Sequence, residues 1–434
     1  MNSHPVSART ILALSIPALG SLAADPVLSL VDTAFVGRLG AVPLAALGVD
    51  TALFAFAFSI FNFLAYATTP MVAQARGRGD VSGSGVVVQR AMALALGLGA
   101  MSTAFLWLLA EPLVRLMQAA PEVVEPAVSY LRIRSFAVVA LLIITAANGA
   151  YRGFKDTRTP LYVTLAVNGL NVVLDWWFIF GLGLGLEGAA LATVAAQWIG
   201  AAVFVGLLRT VARRESWPAG RIRLIDLRPF VSVGSVLVLR TLLLMVSLTI
   251  AAAAAARIGT IEVAAHQVVA QLWFLLAMIV DALAIAAQAL VAELEGAHDS
   301  RGVRALSDRL LRWGVGVGVG LGVLIGFGGH AVAPLFSADP AVQQAIRSVV
   351  VIAAVMQPLA AWVFVADGVF LAKLRTALLA GSTASGLGAL VVVLIVALPA
   401  GWGLVGVWWA MTAMVIGRAV VLGAAHYRPT FSNS

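Results

Sequence analysis

The 434-residue chain contains no cysteine. That excludes disulfides, a thiol nucleophile and a Cys-ligated metal. Charge is also scarce: Asp, Glu, Lys and Arg make up 11% of the residues, against about 25% in ordinary soluble domains. Hydrophobic residues reach 61% and the mean hydropathy is +1.00. A water-soluble fold cannot hide that much apolar surface, so the solvent must be lipid. A cytosolic enzyme, a secreted disulfide scaffold and a disordered chain are thereby excluded. The apolar runs are continuous rather than alternating with polar residues, which argues against a lipid-facing β-barrel. No cleavable leader is expected, because residues 1–9 are short and polar and the run after them is long enough to span and stay.

What the chain has in abundance is the apolar run of about 20 residues, enough to cross a hydrocarbon core of about 30 Å as a helix. Twelve are read near 10–36, 44–72, 86–110, 123–147, 159–182, 188–210, 229–256, 262–292, 310–331, 346–370, 376–399 and 403–425. The expected fold class is an all-α integral membrane protein with twelve transmembrane helices. An even number places both termini on one side. Most Lys and Arg fall on that side, among them Arg76, Arg78, Arg152, Lys155, Arg209, Arg213, Arg214, Arg221, Arg301, Arg418 and Arg428. Few fall on the other, Arg38, Arg115, Arg132 and Arg134 among them. The bias predicts a multi-pass protein of the plasma (inner) membrane with N- and C-termini in the cytoplasm. It also accounts for the net charge of +8 without a nucleic-acid partner.

A shift of 219 residues, Arg38 onto Arg257, lays the chain on itself. Arg38-Leu39-Gly40 then meets Arg257-Ile258-Gly259, Gly77 and Asp80 meet Gly296 and Asp299, Pro121 meets Pro340, and Gly149 meets Gly368. Each half holds six spans, so the repeats have parallel topology about an axis along the membrane normal. The expected organisation is a six-helix N-terminal lobe over residues 1–210, an Arg-rich cytoplasmic linker over 211–228 and a six-helix C-terminal lobe over 229–434. Two such pseudo-symmetric bundles are a common transporter plan, in which rocking gives alternating access.

Ionisable side chains at span depth are expensive and are usually functional. Here they are Asp25, Asp32, Asp175, Arg240, Asp281 and Asp367, with Asp50 nearer the outer end of its helix. Asp25 and Asp32 are seven apart and share a helix face that Pro17 and Pro26 interrupt. Asn168, Asn171 and Asp175 form one polar stripe on span 5, and span 6 adds Thr193. Asp32, Asn171, Asp175 and Thr193 are therefore the candidate coupling-ion site. The set is all oxygen, which suits a proton or Na⁺ and not a transition metal. Two carboxylates close together in low dielectric resist ionising together, as a proton carrier requires. A secondary polar set is Arg240, Asp281, Asp367 and Asn148. An Arg at that depth needs a partner, so a charge pair or triad is expected.

Other signals carry less. Gly314, Gly318, Gly322 and Gly326 repeat every four residues, the pattern of close helix packing. The glycines at 181, 183 and 185 lack the strand and the Lys-Ser/Thr of a phosphate loop. His266 and His330 lie near outer span ends without a metal-ligand pattern.

Several of these stretches resemble the multidrug and toxic compound extrusion (MATE) transporters. Leu14-Ser15-Ile16-Pro17 with Val31-Asp32-Thr33-Ala34-Phe35-Val36-Gly37 is similar to that family's first helix. Asn148-Gly149 with Arg152-Gly153 and Asp156-Thr157-Arg158 resembles the segment after its span 4, Asn168 to Asp175 its span 5, and Gly188 to Thr193 its span 6. Leu239-Arg240, Asp281 and Asp367-Gly368-Val369-Phe370 resemble the DinF-like branch. The resemblance implies a V-shaped fold of two lobes and cation-coupled efflux. It places the family's N-lobe cation site on Asp32, Asn171, Asp175 and Thr193, and its bending proline on Pro17. The acidic residue that NorM-type members carry on span 7 has no counterpart here.

The expectation is therefore a secondary antiporter, not an enzyme, without a cofactor. It would export amphipathic small molecules, organic cations first, in exchange for protons or Na⁺. Its partners would be membrane lipids and the small-molecule substrate, and it would work as a monomer. The alternative is a flippase for a lipid or glycolipid intermediate, which would favour a large, strongly cationic cavity.

Overall fold

The computed structural model describes residues 6–218, 220 and 222–427. Expectations that touch 1–5, 219, 221 and 428–434, including those on Arg221 and Arg428, lie outside the described residues, as does the side chain of His330. Among the described residues there are fifteen α-helices and no strand. They are α1 (Ala8–Gly37), α2 (Ala41–Phe61), α3 (Phe63–Gly77), α4 (Val81–Leu108), α5 (Ala110–Leu116), α6 (Pro121–Ser135), α7 (Ala137–Gly153), α8 (Arg158–Trp176), α9 (Gly185–Arg214), α10 (Arg228–Ile258), α11 (Thr260–Gly296), α12 (Ser300–Phe336), α13 (Pro340–Ala372), α14 (Thr376–Ala397) and α15 (Gly403–Tyr427). Among the described residues eleven stretches are long and apolar enough to cross a membrane, α2 and α3 counting as one. The bent pair α6 and α7 makes up to twelve, with 47° between its halves. The expected fourth span is thus a broken one.

The chain divides into two compact units. One runs from Leu12 to Gly234 and includes the short stretch Gly296–His298; the other holds the rest from Ser235 onward together with the beginning of the chain through Ile11. In the first, α7 packs on α3, α4 and α9. Glycines allow the approach: a Cβ on Gly153 would stand 2.8 Å from the Thr69 carbonyl oxygen. Thr69 Oγ1 in turn donates to the Gly149 carbonyl at 3.0 Å. In the second unit α13 packs on α12 and α15, and α14 on α15. The glycine stripe of α12 does what its spacing predicts: a Cβ on Gly318 would lie 2.7 Å from Pro358 Cα, and one on Gly322 2.6 Å from the Ala354 carbonyl oxygen.

The repeat is visible in local structure. Asp80 caps α4 by accepting from the Gly83 backbone N–H at 2.7 Å, and Asp299 caps α12 from Gly302 at 2.8 Å. An Asp side chain at this position satisfies one of the donors that a helix start leaves open. The turn before each cap holds a left-handed residue, Gly79 at φ 75° and its equivalent His298 at φ 56°.

Candidate functional site

α1 and α8 form a polar seam. Thr157 Oγ1 donates to the Leu14 carbonyl at 2.9 Å, Ser21 and Thr164 hydroxyls meet at 3.4 Å, and Asn168 Nδ2 donates to Asp25 Oδ1 at 3.3 Å. The partners in all three are 143 residues apart. A constant offset between two helices of equal rise means that they run in the same direction and in register. Pro17 and Pro26 lie inside α1, which nonetheless continues as one helix to Gly37. Thr157 thus adds a donor to α1 at Leu14, next to the Ala13 carbonyl that the missing N–H of Pro17 leaves open.

The same register brings Asp32 to Asp175, whose carboxyl groups are within hydrogen-bonding reach of each other. Asn171 Nδ2 donates to Asp175 Oδ2 at 3.1 Å. Asp175 and Asn171 are buried, at 1% and 2% exposure, and Asp32 is half-buried. A hydrogen bond between two carboxyl groups requires a proton on one of them, since carboxylates only accept. Each keeps one buried oxygen without a donor, Oδ1 in both cases. The chain then changes pitch directly after Asp175, with a π-helical turn over Trp177–Gly181. Such turns are rare and often stand at functional sites. Thr193 is buried on α9, but its hydroxyl donates to the Ala189 carbonyl of its own helix at 3.1 Å. Three of the four expected residues thus gather, and the fourth has its hydroxyl turned to its own backbone.

Three residues outside the expected set join them. Arg134, near the end of α6 and just before the break, donates from Nη1 to Tyr130 Oη at 2.6 Å. Its guanidinium lies 4.9 Å from the centre of the Phe54 ring. It is within electrostatic reach of Asp32, Asp50 and Asp175. Asp50 on α2 is completely buried, and neither of its carboxyl oxygens has a donor. Counting Arg134 with the outer segments is therefore corrected: it is held inside the bundle against acidic groups. The legible signal was Tyr130 and Arg134 four apart, hence on one helix face.

In the C-terminal unit, Oδ2 of Asp367 accepts from Nη2 of both Arg240 and Arg418, each at 2.6 Å. These side chains are 13% exposed for Arg240, 4% for Arg418 and 7% for Asp367. A buried arginine at span depth needs such a partner. The charge bias along the chain groups Arg418 with the cytoplasmic arginines, whereas the structure buries it on α15. It fits because Gly386 of α14 leaves room: a Cβ there would stand 2.8 Å from Arg418 Cγ. Asp281 lies half-buried on α11. Asn148 belongs to the N-terminal unit, on α7, with its side-chain oxygen buried and without a donor.

Comparison with known proteins gives the following. The MatE family model matches twice, over residues 17–177 and 237–397. The chain is 32% identical over 437 residues to Protein DETOXIFICATION 45, chloroplastic, of Arabidopsis thaliana, covering 96% of this chain and 77% of that one. It is 31% identical to a probable multidrug resistance protein NorM of Rhizobium meliloti, over 77% of this chain and 73% of the relative. DNA damage-inducible protein F of Escherichia coli is 26% identical over 95% of this chain and 90% of its own. Among solved structures, the Vibrio cholerae MATE transporter VcmN in the bent form superposes with a TM-score of 0.88 at 22% identity, covering 96% and 95% of the two chains.

Proposed function

Since the chain belongs to the MatE family, matched in both halves, we propose that it is a secondary antiporter that exchanges an inward proton for an outgoing amphipathic small molecule. The observation that carries the reading is the pairing of Asp32 with Asp175 across the α1–α8 seam. Two carboxyl groups in contact hold a proton between them, and taking it away leaves two like charges in an apolar bundle. That changes the force between α1 and α8 at the end of a proline-interrupted helix. The bend of α1 is the step through which protonation would reshape the substrate cavity.

The coupling ion is read as a proton rather than Na⁺ because carboxyl groups within hydrogen-bonding reach of each other share a proton, carboxylates alone being acceptors only. The substrate class is read as organic cations, because the acidic groups Asp32, Asp50 and Asp175 outnumber Arg134, the guanidinium within their electrostatic reach. The protein would sit in the plasma membrane as a monomer, termini in the cytoplasm, following the charge bias. The test is reconstitution in vesicles with an imposed pH or Na⁺ gradient and a panel of cationic, neutral and anionic dyes. Asp32→Asn should abolish pH-driven export while the protein stays folded. Full transport by that variant, or transport driven by Na⁺ alone, would overturn the mechanism.

A further inference from the structure

The N-terminal unit contains a cavity of about 720 Å³ at the arginine-rich end of α4 and α9, away from the coupling site. Its floor is apolar, with Met92 and Leu96 of α4, Ile143 of α7 and Leu208 of α9. Leu96 is fifteen residues from the start of α4, about 22 Å at 1.5 Å per residue, so the floor reaches well into one leaflet. The mouth is polar and basic: Gln89, Arg209 and the linker residue Trp217 line it.

The roof is pinned in place. The Trp217 ring sits so close to α4 that a Cβ on Gly85 would stand 2.4 Å from it. Trp217 Nε1 donates to Glu215 at 2.8 Å, and Glu215 is held by Arg76 at 2.6 Å. Gln89 Nε2 donates to the Pro218 carbonyl at 3.0 Å. Arg209, by contrast, is exposed and has neither a hydrogen bond nor an ion pair among the described residues. Arg213, one turn further along α9, lies on the same face and is equally exposed.

We propose that this cavity is a binding site for an anionic phospholipid of the adjoining leaflet, with one acyl chain in the apolar slot and the phosphate on Arg209 and Arg213. The slot offers a soluble ligand no polar floor, and its basic mouth repels an organic cation. A glycerophospholipid presents both halves of what the cavity recognises: hydrocarbon below and negative charge at the level of the helix end. The site clasps the linker to α4 and α9, so an occupant there would brace the segment that joins the two halves of the chain.

The full-length protein in phosphatidylcholine nanodiscs, doped with acyl-brominated phosphatidylglycerol, provides the test. Quenching of Trp217 is taken as the difference from the Trp217→Phe protein. Brominated phosphatidylglycerol should quench that component saturably at low mole fraction, and brominated phosphatidylcholine should not. Arg209→Gln with Arg213→Gln should raise the required mole fraction by about thirtyfold. Ala93→Leu, which fills the slot while leaving the arginines, should abolish the quenching. Equal quenching by both lipids, indifference to the arginine substitutions, or no quenching of Trp217 would each overturn the proposal.

Discussion

Asp25 and Asn168 are hydrogen-bonded across α1 and α8 at 3.3 Å, and their separation of 143 residues is also that of Leu14 and Thr157 and of Ser21 and Thr164. The seam is therefore one parallel register, not a set of isolated contacts, and Asp32 with Asp175 is its last rung. Its first rung makes a stability prediction. Thr157 is 3% exposed, and Thr157→Val removes its hydrogen bond to the Leu14 carbonyl, which keeps only its own helix's donor. A buried hydrogen bond of this kind contributes about 0.5–1.5 kcal/mol. Thermal unfolding in detergent, followed by tryptophan fluorescence, should show that loss. An unchanged midpoint would mean that the rung contributes nothing to holding α1.

Asp50 is buried without a donor on either oxygen, which is costly for the folded protein. Asp50→Asn should accordingly leave stability unchanged or raise it slightly. Arg134→Gln should do the opposite, because it removes a cation near Asp32 and Asp50 and a donor to Tyr130. If the two charges support each other, the double variant is less impaired than the sum of the single ones. A coupling of about 1–3 kcal/mol is the expected size for neighbours in one network. A strictly additive cycle would separate Asp50 from the cluster.

Asp367 shares one oxygen between Arg240 and Arg418. Asp367→Asn strands buried guanidinium charge, and breaking a buried pair from one side costs about 3–5 kcal/mol. The variant should be poorly expressed and unfold at lower temperature. Adding Arg418→Met should recover part of the loss, because the stranded charge leaves with it. Arg418→Lys should not substitute, since a single ammonium cannot reproduce the planar fork. Equal stability of Asp367→Asn and the parent protein would refute a structural role for the triad.

Much of this was legible in the sequence because lipid imposes simple rules. Span length and the polar stripe on span 5 follow from hydrophobic runs and helical spacing, and the repeat from matching residues at one shift; span depth alone singled out Asp32 beside that stripe, where the structure sets it near Asn171 and Asp175. What stayed hidden were Arg134 and Arg418. Both look like boundary arginines, because a charge bias read along the chain assigns a basic residue near a span end to the aqueous side. Depth depends instead on where the helix breaks and what faces it. Arg134 lies just before the 47° bend between α6 and α7, and Arg418 is received by the space at Gly386. The hydrogen bond of Thr193 is hidden for a similar reason: position on a face does not say whether a threonine donates back to its own helix, as this one does to Ala189.

The glycines of α12 allow an internally controlled prediction. A Cβ on Gly316 meets nothing within 4 Å, whereas one on Gly318 would lie 2.7 Å from Pro358 Cα and 2.8 Å from the Gln357 carbonyl oxygen. Gly316→Ala should therefore be neutral or stabilising, by up to about 1 kcal/mol from helix propensity. Gly318→Ala should cost about 1–3 kcal/mol, because backbone rather than a flexible side chain must move. The two substitutions are chemically identical and two residues apart, so helix propensity cancels in the comparison. Thermal midpoints of the pair in the same detergent isolate the α12–α13 contact. Were Gly318→Ala as stable as Gly316→Ala, the close approach of those two helices would be wrong.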